Sequence, residues 1–253
     1  NGVRLVSENL SAPQDPWLVV AARNATNAGR IVGLTIRGTP EIPSELKLSE
    51  QERLVGWRAD RYGDLIGPQQ NSNPVQGFYT WQQSDGVIEG LKFQLSNSRH
   101  RESLLQYQRP MLEDGEIEFE TWYEPDAYEV FPTLGRTALI FKPDGVSRHR
   151  VTNSPYETEG LAIDNLEPLA NSPVSLVPKD WNHVRIVLEG DLLRLYVNRE
   201  EVASLTIDEP AVERHFGLFR YANLTQCRVR NVLYRGQWPK QLPPPESQFL
   251  APQ

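Results

Sequence analysis

Trp181-Asn182-His183-Val184-Arg185-Ile186-Val187-Leu188-Glu189-Gly190-Asp191-Leu192-Leu193-Arg194-Leu195-Tyr196-Val197-Asn198 reads as two strands joined by a tight turn. Apolar and polar side chains alternate on both sides of Glu189-Gly190-Asp191-Leu192, the period of a sheet with one buried face. The Gly-Asp step supplies the turn. Ile186 and Leu188 fall in parity with Leu193, Leu195 and Val197, so the two strands share one core face. Strands joined this tightly are antiparallel. Asn198 suits the turn that starts the next strand.

The same pattern extends in both directions. Strands are expected at 77–82, 87–95, 103–108, 116–123, 137–142, 146–151, 184–189, 192–197, 201–207, 216–221 and 226–234, separated by clusters of Gly, Pro, Asn and Asp. A second well-marked hairpin turns at Lys142-Pro143-Asp144-Gly145. No helical stripe interrupts the series, which is the signature of a two-sheet antiparallel jelly-roll sandwich spanning residues 56–238. Residues 1–55 read as a β-rich N-terminal extension, with a hairpin at Asn27-Ala28-Gly29 and room for one short helix between Leu46 and Trp57. Residues 239–253 form a tail in which Pro243-Pro244-Pro245 cannot join a central ladder.

The bulk properties narrow the function classes. A chain of 253 residues can bury a sizeable core as one all-β domain. Its net charge of −7 argues against a nucleic-acid partner, which needs concentrated Lys and Arg. The longest apolar run, Trp17 to Ala22, is too short to span a bilayer. Cys227 is the only cysteine, so no intrachain disulfide or cysteine zinc cluster can form, and its alternating strand context makes it a small buried apolar residue.

Four short stretches carry a resemblance. Trp181-Asn182 opening a hairpin that ends in Tyr196-Val197-Asn198, then Phe216-Gly217-Leu218-Phe219, then Arg230-Asn231-Val232, resembles the C-terminal half of concanavalin A-like lectin and glucanase domains. In that group the hairpin customarily ends in a glycine, and here Arg199 takes its place. Further stretches make the chain similar to a bacterial domain family of unknown function and to related keto-sugar hydrolase-like domains: 102–110, 114–120, 135–139, and Gly145-Val146 followed by His149. The resemblance covers residues 75–238. It implies a concanavalin A-like jelly roll, extracellular or periplasmic, with carbohydrate as its partner. Fold alone does not fix an activity.

The candidate chemistry lies in Glu116-Ile117-Glu118-Phe119-Glu120-Thr121-Trp122-Tyr123-Glu124. On a strand, Ile117, Phe119, Thr121 and Tyr123 face the core, while Glu116, Glu118, Glu120, Trp122 and Glu124 share the other face. One reading is glycoside hydrolysis by paired carboxylates beside a sugar-stacking aromatic ring. The row resembles the E-x-D-x-E strand of jelly-roll glucanases, which would make Glu116 the nucleophile and Glu120 the acid/base, with Glu118 standing where those enzymes have Asp. The plainer reading is a solvated face whose glutamates pair across strands with Arg109, Arg136, Arg148, Arg150, Arg185 or Arg228.

Further candidate ligand-binding residues are Glu118, Trp122, Gln106, Gln108, Arg109 and His149. No cofactor is expected. Asp144, Asp164 and Asn165 lie in loops and could ligate calcium, but without EF-hand spacing. The four histidines, His100, His149, His183 and His215, have no metal-ligand spacing. Phosphate loops, nucleophile elbows and zinc-protease motifs are absent. Three functions therefore stand side by side: a carbohydrate-binding or accessory module of a larger secreted bacterial protein, a glycosidase using Glu116 and Glu120, and a structural assembly domain.

Overall fold

The computed structural model describes residues 42–50, 54–59, 81–92, 102–151, 166–170 and 172–238. The chain divides into two compact units, Asn1–Pro43 and Ser44–Gln253. Nearly all described residues belong to the second.

Its described residues form fifteen strands: β1 (Glu45–Lys47), β2 (Trp57–Ala59), β3 (Trp81–Ser84), β4 (Val87–Gly90), β5 (Glu102–Pro110), β6 (Gly115–Tyr123), β7 (Phe131–Leu134), β8 (Thr137–Lys142), β9 (Gly145–Arg150), β10 (Glu167–Ala170), β11 (Asp180–Glu189), β12 (Leu192–Val197), β13 (Glu200–Thr206), β14 (His215–Tyr221) and β15 (Cys227–Gly236). A single 3-10 turn, Ala211–Glu213, is the only helical piece among the described residues. Sheet A runs β13-β12-β11-β6-β15-β4-β3, with β1 also paired to β15, and sheet B runs β10-β9-β8-β7-β14-β5-β2. Every strand pairing is antiparallel. The chain passes from one sheet to the other at β1–β2, β2–β3, β4–β5, β5–β6, β6–β7, β10–β11, β13–β14 and β14–β15, so this is the two-sheet jelly roll that the alternation predicts.

The deciding hairpin has the expected register. Val184, Ile186 and Leu188 of β11 face Val197, Leu195 and Leu193 of β12, and all six are buried. Phe119 on β6 meets Phe216 on β14 across the interior, with ring centroids 6.0 Å apart. Tyr107 on β5 likewise meets Tyr234 on β15 at 6.4 Å. These contacts fix which face of each sheet turns inward.

Two charged side chains share that interior. Arg109 lies over the ring of Tyr234 at 4.9 Å and donates to the Gly236 carbonyl at 3.2 Å. Arg220 lies over Trp81 at 5.0 Å and donates to the carbonyls of Thr225 and Leu91 at 2.7 and 2.8 Å. Both are fully buried. A guanidinium is tolerated there because aromatic faces and backbone oxygens replace its water.

Four strands escape the sequence pattern. The segment in which a short helix is expected holds strand β1 instead, followed by a turn, and no helix occurs in its described residues. Leu46 and Leu48 are buried and Leu48 donates its amide to the Val232 carbonyl, so packing against β15 outweighs local propensity. Strand β1 also lies within the segment read as an extension, yet it pairs with β15 of sheet A. Strand β2 is three residues long, too short to show a period. Strands β7 and β10 each contain a proline. Pro132 lies beyond the two residues of β7 that pair with β8, and Pro168 lies on the edge strand at an irregularity in its register, where a missing donor is tolerated. The hairpin expected at Asn27-Ala28-Gly29 and the Pro-rich tail lie outside the described residues.

Candidate functional site

The expected site residues fall in three separate places. Glu116, Glu118, Glu120 and Trp122 stand in one row on the outer face of sheet A, as strand parity requires. Arg109 points into the interior. Gln106 and Gln108 have the parity opposite to Tyr107 on β5, and His149 stacks on Phe219 and Tyr221, so these three belong to the outer face of sheet B. One ligand cannot touch all of them.

On sheet A, β6 lies between β11 and β15, and its glutamates are met from both sides. Arg185 Nε donates to Glu116 at 2.8 Å, and Arg235 Nη1 reaches Glu116 at 2.9 Å and Glu118 at 2.7 Å. His183 Nε2 lies 3.3 Å from Glu118. Glu120 accepts from Arg230 Nε at 2.8 Å and from Asn231 at 2.6 Å. The network continues to the sheet edge, where Arg235 also donates to Glu45 on β1 at 3.0 Å. Partial burial works to raise the Glu116 carboxyl, but the hydrogen bonds from Arg185 and Arg235 outweigh it and hold the group below its ordinary range. Glu120 follows the same balance, with burial opposed by Arg230 and Asn231 and a net lowering.

Beside the last glutamate stands an aromatic pair. Trp122 lies directly opposite Trp181 of β11, edge to face, with centroids 5.7 Å apart and planes at 77°. Arg230 stacks over Trp181 at 4.1 Å and Arg228 at 5.7 Å. Arg228 also lies 3.4 Å from Glu89. Together with Glu89, Tyr128 and Gln226, it lines a cleft of about 270 Å³. In the sequence, Trp181 and Arg230 stand out only as fold markers. Their place opposite Trp122 and Glu120 depends on strand order, which no local pattern encodes.

The outer face of sheet B is strongly concave. His149 on β9 and Glu102 on β5 are four strands apart in the sheet, about 19 Å on a flat surface. Their side chains nevertheless meet at 2.7 Å. The His149 ring also packs on Phe219 and Tyr221 of β14, at 5.3 and 6.1 Å. By register His149 shares a cross-strand row with Ala138, Thr133 and Gly217 on β8, β7 and β14. Gln106 closes the row on the β5 side, accepting from Arg58 at 3.2 Å and donating to the Gly135 carbonyl at 3.1 Å. Burial, with the nearby Glu102 charge, pushes the Tyr221 hydroxyl well above its ordinary value.

Among the described residues, no group of three or more His, Cys, Asp or Glu side chains could hold a metal ion. Asp164 and Asn165 lie outside them.

Fold and surface together define a two-sheet antiparallel jelly-roll sandwich with one ion-paired outer face and one concave outer face. The chain belongs to the family described as "Domain of unknown function (DUF1583_N)", whose model matches residues 96–241. This agrees with the resemblance to a family of unknown function. A second model, "Protein of unknown function (DUF1581)", matches residues 1–81. No curated protein matches the sequence. Among solved structures, the chain is similar to the carbohydrate-binding module CBM66 from Bacillus subtilis, at 14% identity over 72% of this chain and 96% of that one, with a TM-score of 0.45. It is also similar to a laminarinase from Flavobacterium sp. UMI-01, at 12% identity over 76% and 98%, with a TM-score of 0.46. A third is the VIP36 exoplasmic/lumenal domain in a Ca2+/Man3GlcNAc-bound form, at 13% identity over 76% and 95%, with a TM-score of 0.41.

Proposed function

We propose that this chain is a carbohydrate-binding module of a larger secreted protein and that it engages a neutral glycan on the outer face of sheet A. The observation that carries the reading is the Trp122–Trp181 pair, which stands beside the Glu120–Arg230–Asn231 group and on the same face as Arg228, a wall of the cleft also lined by Glu89, Tyr128 and Gln226. Aromatic rings beside preorganised donors and acceptors suit the apolar faces and hydroxyl edges of a sugar. Because the charges are already paired, the face offers fixed donors and acceptors with little unbalanced charge.

Binding is favoured over cleavage by Glu116 and Glu120. A glycosidase needs one carboxyl held protonated as general acid, so its proton affinity must be raised. Both glutamates are lowered instead.

Glycan-array screening of the whole chain, followed by calorimetry on the best polysaccharide, tests the reading. Trp122→Ala and Trp181→Ala are each expected to weaken binding at least tenfold while circular dichroism stays unchanged, and Glu116→Gln is expected to bind like the parent. A parent that binds no polysaccharide, or a Trp122→Ala variant that binds equally well, would sink it.

A further inference from the structure

The cleft of about 270 Å³ beside Trp181 is built differently from the ion-paired ladder next to it. Glu89 and Leu91 line it from the end of β4, Gln226 and Arg228 from the start of β15, and Tyr128, bridged to Gln226, from the connection between β6 and β7. Its walls are held from below. The fully buried Arg220 donates to the Leu91 carbonyl at 2.8 Å and to the Thr225 carbonyl at 2.7 Å, so one guanidinium ties the end of β4 to the residue before Gln226. The Gln226 backbone is bonded on both sides, its amide donating to the Ala127 carbonyl at 2.8 Å and its carbonyl accepting from the Glu129 amide at 2.9 Å. A ligand entering here meets preset walls, which lowers the cost of binding.

The polar side chains of the cleft are uncommitted. Arg185, Arg230 and Arg235 each donate to a glutamate of β6, whereas the Arg228 guanidinium makes no hydrogen bond among the described residues. Its Nε lies 3.4 Å from Glu89 Oε1, and the two side chains keep 40% and 31% of their surface exposed, so both are open to a ligand. Glu89 is steadied on its far side, where Oε2 accepts from Gln82 at 3.0 Å. Arg228 stands opposite Glu89 in the register, and the pairing of Val229 with Thr121 brings it abreast of Trp122. One row thus runs from Trp181 through Trp122 and Arg228 to Glu89 across β11, β6, β15 and β4. Arg228 only donates and Glu89 only accepts. Two adjacent hydroxyls on one ring use both, the first accepting from the guanidinium and the second donating to the carboxylate. An anionic ligand would gain from Arg228 but be repelled by Glu89.

We propose that this cleft is the specificity-determining subsite for the glycan of sheet A. It takes one neutral sugar ring with two adjacent free hydroxyls, which Arg228 and Glu89 read as a pair, while the chain continues along the row toward Trp122 and Trp181. Tyr128 and the exposed Leu91 give the ring an apolar wall. Glu89 excludes uronates and other anionic sugars. The subsite rests on the glycan reading of this face, and adds to it the hydroxyl pair and the two residues that recognise it.

Calorimetry on the full chain tests it, with cellohexaose, laminarihexaose and mannohexaose as neutral probes, hexagalacturonate as the anionic one, and circular dichroism to check each fold. The parent should bind at least one neutral hexaose and prefer it to hexagalacturonate about tenfold or more. Arg228→Gln removes the fork and should weaken that hexaose about tenfold. Glu89→Gln keeps the shape but removes the charge, so it should weaken the neutral probe and tighten hexagalacturonate, narrowing the preference about tenfold. A loss of packing alone would weaken both probes. If Trp122→Ala abolished binding while Arg228→Gln and Glu89→Gln bound every probe like the parent, the subsite would be overturned and the sheet A reading would stand. A parent that binds hexagalacturonate more tightly than every neutral hexaose would overturn the subsite as well. A parent that binds none of the four would remove the sheet A reading and the subsite with it.

Discussion

Asn198 donates a 2.8 Å side-chain hydrogen bond to the buried carbonyl of Asn182, tying the far end of the β11–β12 hairpin to its start. Asn182 is completely buried, and its other bonds explain why. Its carbonyl also accepts from the Val177 amide at 2.8 Å, and its amide donates to the carbonyls of Val177 and Asp180 at 2.9 and 3.1 Å. Asn198 in turn accepts from the His183 amide at 2.9 Å and donates to the Ser175 carbonyl at 2.7 Å. The two asparagines thus satisfy the backbone of the segment that leads into β11. Asn182→Ala removes these four hydrogen bonds from a fully buried position, although their partners are themselves partly exposed, and should cost about 1–3 kcal/mol. Urea unfolding of parent and variant measures it, and a loss well below 1 kcal/mol would contradict this role.

The turn between β12 and β13 stores strain at one residue. Asn198 and Arg199 both have positive φ, 49° and 76°. Asn tolerates that region, whereas an Arg side chain meets a steric cost of about 1–2 kcal/mol there. Two positive φ values in a two-residue hairpin loop are the conformation for which Asn-Gly is preferred. Arg199→Gly should therefore stabilise the protein by roughly 1 kcal/mol, seen as a higher denaturation midpoint at an unchanged slope. Equal or lower stability would show that the Arg199 side chain contributes more than its backbone costs.

These two asparagines also show what could be read from the sequence. The hairpin, its core face and the inward residues of β6 follow from a period of two, which each strand carries in its own residues. Short or proline-bearing strands such as β2, β7 and β10 have no such period, and their pairing partners hold them in place. The carboxylate row was visible because it lies on one strand. Its partners Arg230, Asn231 and Arg235 come from β15, more than a hundred residues away, and Trp181 comes from β11. The contact between Glu102 and His149 was less legible still: they meet only because sheet B curls, and curvature has no local signature.

Acid should loosen the ion-paired face of sheet A. Glu116 and Glu120 have folded-state proton affinities lowered from an ordinary value of 4.5. A depressed carboxyl contributes stability that is present above its unfolded value and lost as pH falls through its folded value. Glu116→Gln/Glu120→Gln should therefore be less stable than the parent at pH 7, with the gap closing as pH falls below about 4.5. High salt at pH 7 should narrow the same gap, because the pairs are partly exposed. Urea midpoints measured from pH 7 to pH 3 test this, and a gap that stays constant down to pH 3 would show that these pairs are not the source.

Gly217 sits at the centre of the concave face because nothing larger fits. A Cβ there would lie 2.4 Å from Thr133 Oγ1, 2.8 Å from Leu104 Cδ1 and 3.1 Å from the Gln106 Cγ. All three side chains are buried, and the Gln106 amide is bound to the Gly135 carbonyl, so none can swing away cheaply. Gly217→Ala should cost about 1–3 kcal/mol by overpacking, although Ala has the better backbone entropy. The double variant Gly217→Ala/Thr133→Ser, in which the hydroxyl is freer to rotate, should recover part of that loss if the clash with Thr133 dominates. Calorimetric midpoints of the single and double variants decide it: a Gly217→Ala protein as stable as the parent would mean that sheet B is flatter at β14 than the 2.7 Å contact between Glu102 and His149 requires.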